Sequence, residues 1–66
     1  MNHIEEKELM RKSLEKAIEI AGGQTALANL IDITPQAVQQ WVKRGHVSRK
    51  SAKPVSRATG IPLENL

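Results

Sequence analysis

The sequence contains no cysteine, no phenylalanine and no tyrosine, and its only aromatic residue is Trp41. Without cysteine the chain can form neither a disulfide framework nor a thiolate zinc site. Its two histidines, His3 and His46, are too few to fill the coordination shell of a structural metal ion. We therefore expect no cofactor, and a fold that is stabilised by side-chain packing.

The near absence of aromatic residues leaves leucine, isoleucine, valine and alanine to build the core. A core of this composition favours helices over a sheet. With 66 residues the chain has room for one small domain, which excludes most enzyme folds. The two histidines fall in a tail and a loop, and no serine, aspartate and histidine are placed to act together. We expect no enzymatic activity.

Long hydrophobic runs are also missing. The longest nearly apolar stretch, residues 26–33, is interrupted by Asn29 and Asp32 and is far shorter than the ~20 residues that a membrane span needs. The first residues lack the basic and apolar regions of a secretory signal. We expect a soluble, cytoplasmic protein without a membrane partner.

Acidic residues are almost absent from the second half of the chain. Residues 34–66 hold six basic residues and one acidic residue, Glu64, which is a net charge of +5. Residues 1–33 hold four basic and six acidic residues, which is a net charge of −2. This asymmetry indicates a polyanionic partner for the second half, and nucleic acid is the commonest. A surface that only solubilises the protein is the alternative.

The first helix is predicted by apolar residues that recur at spacings of three and four between His3 and Ala21. Gly22 ends this helix, because glycine takes the left-handed cap conformation at least cost. The first eight residues offer a single apolar anchor. We therefore expect residues 1–8 to form a flexible or frayed extension, and residues 9–66 to form the folded domain.

Two further helices are predicted in quick succession. Thr34 is a favourable N-cap, and Pro35 suits the first helical position because its missing N–H would have no partner there. A third helix therefore begins at Pro35, a few residues after a short second helix over about residues 24–31. Helices separated by so few residues turn sharply against each other. The inward positions of the second helix are expected to be Ala26, Leu27, Leu30 and Ile31.

The third helix is predicted to run to about Lys43, with Val38, Trp41 and Val42 on its inner face. We interpret Trp41 as a core anchor and not as a base-stacking residue. Helical spacing then places glutamines on the outer face, and glutamine pairs with N6 and N7 of adenine in the major groove. A plain solvated face is the alternative. The predicted base-reading residues are Gln36, Ala37, Gln39, Gln40 and Lys43.

A fourth helix is expected after Gly45, with Ser48 as its cap. Pro54 would bend this helix if it lay in the interior. Its inward positions would be Ala52, Val55 and Ala58, and a last turn would cover the core with Ile61, Leu63 and Leu66. The chain is therefore predicted to be all-α, a compact bundle of four to five helices.

Contacts to the DNA backbone are expected from residues that flank the third helix. Such contacts position a protein on DNA and do not specify sequence. Each residue alone is better explained as a solvated side chain, but no acidic residue interrupts the basic ones between positions 34 and 63. The predicted set is Gln24, Thr25, Thr34, Arg44, His46, Arg49 and Lys50.

Residues 24–43 resemble the helix-turn-helix of phage Cro and lambda-repressor-like proteins, with Ala28 at the small fifth position and Asp32 at the ninth. The ninth residue is usually glycine because its backbone is left-handed, which aspartate tolerates. The stretches Ala-Gly-Gly-Gln, Ala-Val-Gln-Gln-Trp, Arg-Gly-His-Val and Arg-Ala-Thr-Gly also look like the small Cro-like, YdaS-type family. The resemblance implies a transcriptional regulator of phage or prophage origin, in some cases the antitoxin of a toxin–antitoxin pair.

These observations together predict a sequence-specific regulator that inserts helix 35–43 into the major groove of double-stranded DNA and represses transcription. A homodimer on a palindromic operator fits this function, but the sequence does not identify a dimer surface. The alternative is a protein-interaction module, such as an antitoxin, that binds a toxin through its first helix.

Overall fold

The computed structural model describes residues 3–66, and within them four α-helices and two 3-10 turns follow one another. The described residues contain no strand. The predicted all-α bundle is therefore confirmed. The helices are α1 (His3–Ala21), α2 (Gln24–Leu30), α3 (Pro35–Arg44) and α4 (Ala52–Thr59), and the 3-10 turns are Arg49–Ser51 and Leu63–Asn65.

The helix α1 sets the longest dimension of the molecule. Its 19 residues span about 28 Å at ~1.5 Å per residue, and the domain measures 33 × 22 × 20 Å. Residues 3–8 form its first turns, whereas residues 1–2 of the predicted extension lie outside the described residues. None of the helices within residues 3–66 combines the length and apolarity that crossing a membrane requires.

A pair of glycines makes the sharp turn between α1 and α2. The N–H groups of Gly22 and Gly23 both donate to the carbonyl oxygen of Ile18, at 3.0 and 2.9 Å. Their φ angles of +100° and +131° lie where glycine pays no steric penalty. The pair therefore satisfies carbonyl groups at the end of α1 and returns the chain so that α2 packs on α1, as the predicted cap requires.

The bounds of α3 follow from local chemistry at both ends. The hydroxyl oxygen of Thr34 accepts a hydrogen bond from the Ala37 N–H at 3.4 Å, and Pro35 is the first helical residue. At the other end Gly45 is left-handed, and its N–H donates to the Trp41 carbonyl oxygen at 2.7 Å. The predicted start is confirmed, and the helix ends at Arg44, one residue later than expected.

The turn between α2 and α3 depends on one strained residue. Asp32 has a φ of +59° and is the one non-glycine residue with positive φ in the described part of the chain. Directly after it, the Ile33 N–H donates to the Ala28 carbonyl oxygen at 2.9 Å. The left-handed conformation expected at this position is thus present, and it brings α2 and α3 into contact.

The core draws residues from every helix. Trp41 is 3% exposed and lies among aliphatic side chains, which confirms its predicted role as a core anchor. Because it is the one aromatic residue, it supplies the largest side chain of the core. The buried apolar residues are Leu14, Ala17, Leu27, Ala28, Val38, Trp41, Val47, Ala52, Val55, Ile61 and Leu66.

Some residues predicted to face the core are exposed. Leu30 is 57% exposed because the inward face of α2 is centred between Leu27 and Ala28, which places Leu30 to one side. Val42 is 44% exposed because α3 turns Val38 and Trp41 inward. Ala58 of α4 and Leu63 of the last turn are also exposed, so these four predictions were wrong.

The fourth helix begins later than Ser48. Its side chain makes no capping hydrogen bond, and a 3-10 turn over Arg49–Ser51 precedes α4. Pro54 is the third residue of α4, within the first turn, where the helix N–H groups have no intrahelical partner. Proline therefore removes no hydrogen bond here, and the expected bend is not needed.

Candidate nucleic-acid interface

The outer face of α3 presents four of the predicted base-reading side chains. Gln36, Gln39, Gln40 and Lys43 are all exposed. Their spacing of three and four residues places them on one side of the helix, opposite Val38 and Trp41. Because α3 is capped at both ends and fixed by a buried indole, it presents these groups on a rigid support.

A groove runs along one flank of α3, between this helix and the loop and 3-10 turn that lead to α4. We call it the α3–turn groove. The half-buried side chain of Ala37 lies at its edge, so the fifth predicted base-reading residue is next to the glutamine face but not on it. The polar and charged residues that line this groove are Thr34, Gln40, Arg44, Ser48, Lys50 and Ser51.

The structure thus brings three predicted backbone-contacting residues, Thr34, Arg44 and Lys50, to one groove beside the glutamine face. Ser48 is a further residue of this groove, and the sequence predicted it only as a helix cap. In the structure its side chain makes no capping hydrogen bond and lines the same groove. Serine hydroxyls commonly bind phosphate oxygens. Its position within the basic run was the signal that could have identified it.

His46 and Arg49 lie beyond the end of α3. The His46 ring nitrogen Nδ1 is 3.1 Å from the Val47 carbonyl oxygen, so Nδ1–H must be the donor in this bond. The backbone N–H of His46 also donates to the Trp41 carbonyl oxygen, at 3.2 Å. These bonds hold the residue in place and leave Nε2 as the ring nitrogen for another partner. Arg49 is exposed and lines a groove with His46 and Lys50.

Gln24 and Thr25 are the predicted contacts that the structure does not bring to this surface groove. They are the first two residues of α2, directly after Gly23, and Gln24 is half-buried whereas Thr25 is exposed. Neither residue lines the α3–turn groove. Their contact with phosphate stays a prediction.

A second groove lies on the opposite flank of α3, between its last turn and the first turns of α1. We call it the α1–α3 groove. It includes three predicted site residues, Lys43, Arg44 and His46, and two residues that were not predicted, Lys7 and Arg11. The charge of the chain halves gave no signal for Lys7 and Arg11, because both belong to the acidic half. The remaining lining residues are Glu8, Met10, Val42 and Gly45.

The chemistry of the surface comes from amides, hydroxyls and cations. Within residues 3–66 no group of three or more histidine, cysteine, aspartate or glutamate side chains could hold a metal ion. No side-chain polar atom in this part of the chain is buried without a hydrogen-bond partner. The side chains of Gln36, Gln39, Gln40 and Lys43 are exposed, so the outer face of α3 is accessible to an external ligand.

Comparison with known proteins identifies a family. No curated protein and no solved structure matches the sequence. Residues 14–64 match the model of a protein family described as bacterial toxin YdaS. The matched stretch begins at the core residue Leu14 and takes in α2, α3 and α4, so it covers well over half of the chain. The chain therefore belongs to the YdaS family of bacterial toxins.

Proposed function

We propose that this protein is a sequence-specific binder of double-stranded DNA that regulates transcription by inserting α3 into the major groove. The observation that carries this proposal is the outer face of α3, where three exposed amides and Lys43 lie opposite the buried Trp41. This face has no acidic residue. It is therefore suited to contact base edges in the major groove, which a phosphate backbone borders on each side.

The side chains of α3 supply the groups that base recognition needs. Each glutamine amide offers a donor and an acceptor, which match N6 and N7 of adenine. Lys43 is suited to O6 and N7 of guanine, and the small Ala37 leaves room for a thymine methyl group. A good pair of this kind contributes about 1–3 kcal/mol of discrimination between bases.

The phosphate contacts come from the residues around α3. Thr34 and Ser48 offer hydroxyl groups, and Arg44 and Lys50 offer charge, in the same groove. Arg49, His46, Gln24 and Thr25 complete the proposed set. If ~4 phosphates are neutralised per subunit, log affinity falls against log salt concentration with a slope of about −3.6.

Occupancy of an operator would repress transcription by blocking polymerase, and no catalytic activity is needed. A two-fold dimer would place two copies of α3 about 34 Å apart on one face of the DNA. The family description, bacterial toxin, is compatible with this proposal if the repressed genes are required for growth.

The second candidate function is binding of a protein partner of the toxin–antitoxin kind. The family description favours it. The outer surface of α1 supports it too, because Ile20 is 48% exposed there among charged side chains. The two functions can coexist, since α1 and α3 expose different faces.

The test is selection of the purified chain against a random pool of duplex DNA at near-physiological salt, followed by sequencing of the bound fraction. The proposal expects an enriched site, two-fold symmetric for a dimer and short and asymmetric for a monomer. The double variant Gln39→Ala/Gln40→Ala should still bind DNA but lose the preference for this site. The control Asn29→Ala, which removes an exposed amide from α2, should keep it.

Two results would contradict the proposal. DNA that is retained without enrichment of any sequence would mean that the glutamines do not read bases. No retention of DNA at all would reject DNA binding and favour the second candidate function.

A further inference from the structure

The α1–α3 groove concentrates positive charge that the sequence distributes over two distant segments. Lys7 and Arg11 contribute one wall, and Lys43 and Arg44 contribute the other. Glu8 is the one carboxylate among the lining residues, so the groove has a formal charge of +3 with His46 neutral. Two of its four cations, Lys7 and Arg11, lie on α1, a helix that is acidic as a whole.

The lining of the groove includes two apolar side chains beside these cations. Met10 is half-buried, and Val42 is 44% exposed. Lysine and arginine cover apolar surface with their aliphatic stems and keep their charged ends in water. A lining of this kind therefore suits cations with long aliphatic stems. Lys7 and Arg11 are four residues apart, so they lie about one helical turn (~5.4 Å) from each other on one face of α1.

The two grooves lie on opposite flanks of α3. Ala37 faces the α3–turn groove, whereas Val42 and Lys43 face the α1–α3 groove, and the glutamine face lies between them. Arg44, the last residue of α3, lines both grooves. A helix in the major groove, which is ~12 Å wide, has a phosphate backbone on each side. The arrangement of cations on both flanks corresponds to the arrangement of the two DNA strands.

We propose that Lys7 and Arg11 bind the phosphate backbone of the DNA strand on the α1 side of α3. This inference rests on the proposed function and deepens it, because it assigns a DNA contact to the helix that carries most of the acidic residues. The first turns of α1 then bind one strand, while Ser48 and Lys50 of the α3–turn groove bind the other. Contacts on both sides hold α3 in the major groove, whereas the choice of bases stays with the glutamines.

The test is the salt dependence of affinity for a duplex of mixed sequence and for any site enriched by selection. The double variant Lys7→Gln/Arg11→Gln should make the slope of log affinity against log salt less steep by about 1.8, since each lost phosphate contact removes ~0.9. The ratio of affinities for the two duplexes should stay the same within about twofold, because phosphate contacts carry no sequence information.

A matched control is available on the same helix. Lys12→Gln/Lys16→Gln removes the same charge at the same spacing, from two exposed residues that line neither groove. It should leave the slope unchanged. The charge-preserving variant Lys7→Arg/Arg11→Lys should also keep the original slope, which separates loss of charge from a disturbance of α1.

The outcomes separate this inference from the proposed function. If the original chain binds DNA and Lys7→Gln/Arg11→Gln leaves its slope unchanged, the inference is wrong and the proposed function stands. An equal loss of slope in the Lys12→Gln/Lys16→Gln control would also overturn it, because net charge alone would then explain the effect. If the original chain shows no affinity for DNA, the proposed function fails and the inference fails with it.

Discussion

The helices α1 and α3 are both amphipathic, yet they expose opposite kinds of surface. α1 carries five acidic and four basic residues, whereas α3 carries two basic residues and no acidic one. Thr34, Pro35 and Gly45 determine where α3 begins and ends to within about one residue. The buried indole of Trp41 packs this helix on the core. The difference shows that one kind of secondary structure can carry mixed charge in one place and a surface of amides and cations without acidic residues in another.

The boundary between the mixed-charge surface and the surface without acidic residues does not follow the boundary between the two helices. The first turns of α1 lie beside the last turn of α3, where Lys7 and Arg11 join Lys43. Along the chain these residues belong to halves of opposite net charge. Charge is therefore distributed by faces of the folded domain and not by helices. Variants that change one face at a time test this difference.

The largest expected effect comes from the inner face of α3. Trp41→Ala should lower the free energy of unfolding by about 3–5 kcal/mol, because it leaves a cavity in the centre of the core. This is comparable with the whole stability of a small domain, about 5 kcal/mol. Denaturant unfolding followed by far-ultraviolet circular dichroism measures it. The neighbouring Val42→Ala should cost less than about 1 kcal/mol, and equal losses in both variants would refute the assignment of the two faces.

A second variant gives α3 an acidic outer face like that of α1. Gln39→Glu/Gln40→Glu preserves side-chain shape but places two negative charges near the phosphates, where like charges cost several kcal/mol. DNA affinity should fall by about 100-fold or more, equivalent to ~2.8 kcal/mol, in a fluorescence-anisotropy titration with labelled duplex. Lys12→Gln/Lys16→Gln changes the net charge by the same amount on α1. A similar loss in this control would show that total charge governs binding.

A third variant tests how sharply α3 begins. Thr34→Ala removes the hydroxyl oxygen that accepts the Ala37 N–H, and should destabilise the domain by about 1 kcal/mol. Thr34→Ser keeps an acceptor at the same position and should stay within a few tenths of a kcal/mol of the original chain. Thermal unfolding of the three proteins side by side gives the measurement, and an equal loss for serine and alanine would exclude the cap.

The smallest effect is expected at the turn before α3. Asp32→Gly relieves the steric cost of a φ of +59°, but glycine also increases the entropy of the unfolded chain. The net change should be within about 0.5 kcal/mol, in the stabilising direction. Asp32→Val should destabilise by at least ~1 kcal/mol, because a β-branched residue is a poor fit to the left-handed region. Chemical denaturation that ranks valine equal to glycine would contradict this account of the turn.

Local chemistry was predictable from the sequence. The N-cap at Thr34, the left-handed Asp32 and the C-terminal Gly45 each depend on a few neighbouring residues, so the position of α3 followed from them. The exposed glutamines followed from the same helix, because Val38 and Trp41 determine which face is inward.

Tertiary packing was not predictable in the same way. Periodicity does not say which flank of a helix a neighbour covers, so Leu30 and Val42 were assigned to the core although both are exposed. The 3-10 turn before α4 left no pattern that distinguishes it from a helix capped by Ser48. Lys7 and Lys43 line the same groove although they are far apart in the chain. Their proximity depends on the path of α1 across the domain, which the sequence pattern does not give.

The single buried indole gives the protein an optical signal of its own. Because the chain has no tyrosine and no other tryptophan, its near-ultraviolet fluorescence comes from Trp41 alone. At 3% exposure this ring is shielded from water, so unfolding should move its emission to longer wavelength. A duplex bound on the glutamine face would meet the other side of α3 and leave the ring in place. Emission therefore reports unfolding without a label, and a shift on adding DNA would reveal that α3 itself moves.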